Sequence, residues 1–191
     1  MKISIIRILI LVLVVWMHDE IDAQHQTASF SNVSVKLFNY LGWDNSIQIS
    51  NGNVEVVVVP QIGRIMHYGF VNSENLLWSD EQFHGKILPN GEPNRDEEGV
   101  YEWTNFGGDK VWPNQQSEFE QINGFSWPPD PAFDGGVHSY DLLDNGVRIT
   151  SPVSKLNGAQ SIRSIRLSET GSRIEIMQSL KKVALASNTQ L

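Results

Sequence analysis

Ser46-Ile47-Gln48-Ile49-Ser50-Asn51-Gly52-Asn53-Val54-Glu55-Val56-Val57-Val58-Val59-Pro60 is the stretch that decides the fold. Its first five residues alternate polar and apolar, a period of two that sets Ile47 and Ile49 on one face of a half-buried strand. Asn51-Gly52 follows at once, and both residues tolerate the positive φ that a tight hairpin turn demands. The β-branched run from Asn53 then ends at Pro60, which has no N–H to give to a sheet ladder. These features predict a β-hairpin.

The same texture extends downstream. Gly63, Arg64 and the run to Phe70 suggest a third strand, with a turn at Asn72-Ser73 before Leu76-Leu77-Trp78. Tyr140 to Leu143 and Val147 to Thr150, joined by Asp144-Asn145-Gly146, read as a second hairpin. Ser161 to Leu167 has Ile162, Ile165 and Leu167 as its apolar members, and Arg173-Ile174-Glu175-Ile176-Met177 alternates after a turn at Glu169-Thr170-Gly171-Ser172. Short strands separated by turn signals predict an all-β fold, an antiparallel β-sandwich. No internal repeat or heptad is visible.

The chain has 191 residues, 40% of them apolar, a formal charge of −8 and no cysteine. That length suits one domain, and the apolar content can fill its core. An acidic balance argues against nucleic acid as a partner, because phosphate contacts need clustered Lys and Arg. Disulfides and cysteine-ligated metals are excluded. Lys2 and Arg7 precede the uncharged run Ile8 to Met17, which Asp19, Glu20 and Asp22 end before Ala23. A run of about ten is short of the roughly 20 residues that span a bilayer, so 1–23 reads as a signal peptide. An uncleaved anchor is the alternative. The expected organisation is a signal peptide at 1–23, a lead-in at 24–45 and the sandwich at 46–191, secreted or periplasmic and free of the membrane after cleavage. Asn32-Val33-Ser34 matches a glycosylation acceptor, relevant in a eukaryotic secretory route.

Between Ser79 and Val137 the composition changes to prolines, glycines and the indoles Trp103, Trp112 and Trp127. Connections longer than about 15 residues are usually functional or disordered. So many aromatics favour order, and the segment reads as a structured loop excursion forming the rim of a site. Two motifs lie within it. In Trp103-Thr104-Asn105-Phe106-Gly107-Gly108-Asp109-Lys110-Val111-Trp112-Pro113-Asn114-Gln115-Gln116, paired glycines allow a tight turn or close backbone approach. In Trp127-Pro128-Pro129-Asp130-Pro131-Ala132-Phe133-Asp134-Gly135-Gly136, prolines stiffen the backbone around an indole and two carboxylates. Indole faces beside fixed amides and carboxylates suit a saccharide, whose ring lies on the aromatic while its hydroxyls meet donors and acceptors. Each residue also has a structural alternative. Asn105, Asp109, Asp130 and Asp134 adjoin Gly or Pro, where they can simply cap turns. Lys110 can partner a carboxylate, and the indoles can be core, Trp103 above all.

The string Asn105 to Pro113, followed by Trp127-Pro128-Pro129-Asp130-Pro131, resembles an uncharacterised family with a galactose mutarotase-like fold, domain of unknown function 4380. Ser50 to Ile65 is similar to its opening strands. The resemblance covers about Ser46 to Leu180 and implies a large two-sheet sandwich of the kind used by aldose epimerases and carbohydrate-binding domains. Such sandwiches run to roughly 250 residues, so the chain is expected to be a C-terminally truncated copy. Ile62 stands where the family pattern has the first of two glycines, and Asn114-Gln115-Gln116 replaces its usual proline and glutamine after the tryptophan-proline step.

Mutarotation needs an acid at the ring oxygen and a base at the anomeric hydroxyl, in epimerases typically a histidine and a glutamate. His138 is the candidate catalytic acid, with a hydrogen-bonded strand-end histidine as its alternative. His67 is a weaker candidate, His84 lies in the loop, and no motif selects Glu118 or Glu120 as base. No zinc spacing, phosphate loop, helix-loop-helix calcium site or nucleophile elbow occurs, so neither cofactor nor metal is expected. The leading expectation is a saccharide-binding sandwich using Arg64, Asn105, Asp109, Lys110, Trp112, Trp127 and Asp130. An aldose 1-epimerase-like enzyme and a non-catalytic fragment that needs a partner chain are the alternatives.

Overall fold

The computed structural model describes residues 32–88, 92 and 94–184. The expected signal peptide lies outside them. Two four-stranded antiparallel sheets make up the molecule. The first has the order β1 (Ser34–Tyr40), β2 (Trp43–Ser50), β3 (Val54–Val59) and β4 (Arg64–Phe70). The second is formed by β7 (Ser139–Leu143), β8 (Gly146–Thr150), β9 (Ala159–Leu167) and β10 (Ile174–Lys182), again in chain order. The all-β antiparallel expectation holds. One correction concerns the lead-in: its second half is β1, the edge strand of the first sheet.

Turn chemistry sets the register. Leu41 and Gly42 both have positive φ (49° and 94°) between the paired residues Tyr40 and Trp43, as a two-residue hairpin of the type I′ class requires. The β2–β3 turn closes between Asn51 and Val54, so its central residues are Gly52 and Asn53 rather than Asn51 and Gly52. Gly52 takes φ 83°, the type II′ pattern. Asn51 instead works through its side chain. Its Oδ1 accepts from the amides of Asn53 and Val54, and its Nδ2 donates to Ser168 O and Gly171 O in the β9–β10 turn. The expected β7–β8 hairpin forms, with Leu143 opposite Gly146.

The two sheets share one apolar core. Ile47, Ile49, Val54, Val56, Val58 and Ile65 from the first pack on Val147, Ile149, Ile165 and Leu167 from the second. A second apolar layer lies on the outer face of the first sheet, where Trp43, Val57, Val59 and Met66 meet Leu88 and Phe106 from the excursion. This sheet is therefore covered on both faces. The run of valines at 56–59 in β3 follows from that, since a strand stretch buried on both sides has no solvent positions to fill with polar residues.

Over its described residues the excursion is structured, as expected. It contains the short pair β5 (Asn94–Arg95) and β6 (Tyr101–Glu102), a 3-10 turn at Gln116–Glu118 and helix α1 (Phe119–Asn123). Trp43 Nε1 donates to Lys86 O at 2.7 Å and helps pin it to β2. Leu76-Leu77-Trp78 forms no strand. It returns along β4 through Leu76 N to Tyr68 O, and Ser79 bridges Gly107.

Burial in the shared core makes a direct prediction. Ile165 is fully buried, so Ile165→Ala should lower the unfolding free energy by about 2–5 kcal/mol. Val137, 52% exposed, should tolerate alanine within about 0.5 kcal/mol. Urea unfolding of both variants measures the contrast.

Candidate functional site

Arg64 opens β4 and is buried beneath the excursion. Its Nη1 donates to Gly107 O at 2.7 Å, its Nη2 pairs with Asp134 Oδ1 at 2.8 Å, and the guanidinium lies 5.6 Å from the Phe106 ring centroid. Burial pushes its pKa down, while Asp134 and then Asp109 oppose the shift. The Gly107-Gly108 pair makes this approach possible. A Cβ on Gly107 would fall 2.4 Å from Trp78 O, and one on Gly108 2.4 Å from Ile65 O. Asp109 then locks the loop to β4: its amide donates to Ile65 O at 3.0 Å, and its Oδ1 accepts from Ile65 N at 2.7 Å.

Asp134 is the hub of the excursion. Besides Arg64, its Oδ2 accepts from Trp103 Nε1 at 2.7 Å and its Oδ1 from Trp112 Nε1 at 3.1 Å. The indoles pack edge to face, with centroids 6.2 Å apart for Trp103–Trp112, 5.0 Å for Trp103–Trp127 and 6.1 Å for Trp112–Trp127. Phe119 of α1 stacks on Trp127. Lys110 holds its ammonium 5.6 Å from the Trp103 ring centroid. Burial and then Arg64 lower its pKa, against Asp134 and Asp109.

A second ion pair joins β9 to the excursion, between Arg163 on the inner face of β9 and Asp109 Oδ2. Arg163 is buried, and its Nε and Nη1 have no hydrogen-bond partner. His138 is buried close by. Its amide donates to Pro60 O at 2.8 Å, its Nδ1 lies 2.9 Å from Gly136 O, and its ring fills the space above Gly63, where a Cβ would sit 2.1 Å from Cε1. Burial drops its pKa to about 4; the Gly136 bond opposes this, Arg163 adds to it, and Asp109 opposes it. At neutral pH the imidazole is therefore uncharged. It occupies its strand-end position as a packed, hydrogen-bonded residue and is a poor proton donor.

The remaining expected residues separate from this network. Asp130 is buried in turn chemistry: Oδ1 accepts from Ala132 N at 3.0 Å, and Oδ2 accepts from Ser154 Oγ at 2.6 Å. Burial raises its pKa, with the Ser154 and Ala132 bonds opposing. Asn105 is half-buried, and its Oδ1 has no partner. His67 lies elsewhere, on the outer face of the first sheet, with Nε2 3.5 Å from Glu55 Oε1. His84 contacts Ser79 Oγ at 3.2 Å. Among the described residues no cluster of three or more His, Asp or Glu is placed to hold a metal ion.

Two hollows adjoin the excursion. One, lined by Trp103, Pro128, Pro129, Asp134 and neighbours, has only about 10 Å³, room for about one water. The N–H groups of Trp103 and Trp112 serve Asp134, and the rings of Trp103, Trp112 and Trp127 pack on one another. The second hollow, of about 350 Å³, opens at Pro113, the residue that follows Trp112 in the chain. Pro113, Asn114, Ile122, Asn157, Ala159, Leu180 and Lys182 line it. Asn114 Nδ2 is a buried donor with no partner, and the Lys182 ammonium donates to Asn157 O. Sequence reasoning missed Asp134, Trp103 and Arg163 as a network and Asn114 and Lys182 as lining. Strand parity was the available signal for Arg163, which shares its face with Ile165 and Leu167.

No family model matches this chain, and neither a curated protein nor a solved structure resembles it at a significant level. No helix among the described residues is long and apolar enough to cross a membrane.

The buried charges make two predictions. Asp134→Ala strands the buried Arg64 guanidinium and should cost about 3–5 kcal/mol, read as a lower urea midpoint. His138 has a folded pKa below its unfolded value near 6.5, so the folded state binds fewer protons than the unfolded between these values. Its contribution is fully present above about pH 6.5 and is lost as pH falls toward 4. Unfolding curves at pH 7 and pH 4.5 should show a smaller drop for His138→Gln than for the parent.

Proposed function

We propose that the chain is a non-catalytic, extracytoplasmic saccharide-binding sandwich of the galactose mutarotase-like type, and that the sugar sits in the hollow at Pro113 rather than on the indoles. The hollow of about 350 Å³ with the unpartnered Asn114 amide at its wall carries the reading. Its volume lies in the range of about 300–1,000 Å³ used by small-molecule sites. Pro113, Ile122, Ala159 and Leu180 offer apolar surface to the C–H face of a pyranose, while the Asn114 amide and the Lys182 ammonium offer donors to its hydroxyls, the Asn157 side chain being already bonded to Ala159 N and Asp130. The resemblance of the Asn105–Pro113 and Trp127–Pro131 strings to mutarotase-like proteins supports the same ligand class.

The epimerase alternative lacks its acid–base pair. His138 is neutral and hydrogen-bonded to Gly136, Asp109 is committed to Arg163, and Asp134 to Arg64. Glu118 and Glu120 sit at the start of α1, outside the ion-pair network.

Calorimetric titration with a panel of neutral hexoses and uronic acids tests the proposal. At least one sugar should bind the parent, and Asn114→Ala should weaken it roughly tenfold, the effect of one lost hydrogen bond. Polarimetry should find no acceleration of anomer exchange. Failure of every sugar to bind, affinity unchanged in Asn114→Ala, or catalysed exchange would each overturn it.

A further inference from the structure

The outermost strand of the second sheet is exposed on both faces. Every residue of β10 after Ile174 is solvent-exposed, including Ile176 at 42%, Met177 at 69% and Leu180 at 50%. One edge of β10 pairs with β9 over all nine residues, from Ile174 opposite Leu167 to Lys182 opposite Ala159. Among the described residues the other edge has no strand beside it in the sheet. Long apolar edge strands are templates for further pairing, and soluble proteins usually shorten, bulge or cover them. This strand is long and regular, and two of its apolar side chains, Ile176 and Leu180, continue the face that the shared core occupies on β9.

The sequence of β10 is complementary to itself when reversed. A two-fold axis perpendicular to the sheet pairs residues of equal parity, because facing residues must share a side of the sheet. With the axis at Gln178, all nine residues pair, Glu175 faces Lys181 of the copy twice over, and Ile176 faces Leu180 twice over. Moving the axis by one residue in either direction destroys this match: Glu175 then faces Ser179, or Lys181 faces Met177. Opposite charges and apolar pairs directly across antiparallel strands stabilise the pairing, and a self-complementary patch is the requirement of a two-fold dimer.

We propose that the free edge of β10 binds β10 of a second copy of this chain, antiparallel and centred on Gln178, to make one continuous eight-stranded sheet. The occupant is set by the order Glu175, Ile176, Leu180, Lys181, and the inference is independent of the saccharide reading. Because Leu180 lines the hollow at Pro113, the copy's Ile176 would come to lie next to that wall.

Sedimentation equilibrium on the purified chain and on two charge variants tests this. The parent should be dimeric at micromolar concentration. Glu175→Lys and Lys181→Glu should each weaken self-association at least tenfold, since each sets like charges opposite one another across the two-fold. Mixing the two variants should restore the dimer, because one copy then carries two lysines at these positions and the other two glutamates, so that each charge faces its opposite. Lys181→Glu is the cleaner partner, its neighbour on β9 being the uncharged Gln160. Both positions are exposed, and cooperative thermal unfolding of each variant verifies the fold. Hydrogen exchange supplies a second readout: β10 amides should gain protection as parent concentration rises. A parent that stays monomeric, variants that associate like the parent, or a mixture that fails to recover would each overturn the proposal.

Discussion

A carboxylate taken out of water must be matched by donors, and at Asp134 the match is the Arg64 guanidinium together with the indole N–H groups of Trp103 and Trp112. These three donors come from the start of β4 and from the two indoles of the first motif, so one buried anion gathers the excursion and fixes it to the sheet. Replacing any donor leaves charge or lone pairs unsatisfied in a low-dielectric setting, which costs more than the bond itself contributes. The glycines at 107 and 108 serve the same end by letting backbone reach backbone, and Asp109 extends the hold across the sandwich to Arg163 on β9.

The consequence for function is that charged and aromatic residues of the kind associated with ligand sites are largely used up within the protein. The indole N–H groups of Trp103 and Trp112, both Asp109 oxygens and the Asp130 carboxylate already have partners. Space and an unspent donor, Asn114 Nδ2, occur together one step away, where the chain leaves the indole cluster at Pro113-Asn114 and runs past the ends of β9 and β10. The aromatic cluster is a brace beside that hollow, the place proposed above for the saccharide.

Much of the sandwich was legible because strand periodicity and turn residues are local signals. The valines of β3, the positive φ at Gly52 and the hairpin around Asp144-Asn145 follow from short stretches of chain. The error at the β2–β3 turn was one residue, because Asn51 looked like a turn centre yet serves as an acceptor for two amides and a link to the β9–β10 turn. β1 was missed since Ser34 to Tyr40 is an edge strand with most of its side chains in water. Arg163 was passed over for the opposite reason: an arginine reads as a solvent position, and only a partner distant in the chain, Asp109, explains its inward face. In the excursion the residues were recognised as important, while their partners were not. Whether an indole N–H meets a ligand or Asp134 depends on tertiary placement that spacing along the chain does not encode.

The most direct measurement is the nitrogen–proton NMR spectrum of side-chain amides and indoles, recorded with and without a saccharide at saturating concentration. The account predicts that the Asn114 amide resonances move while the indole N–H signals of Trp103 and Trp112 stay fixed and protected from exchange. Indole signals that shift with the sugar while Asn114 remains still would contradict it.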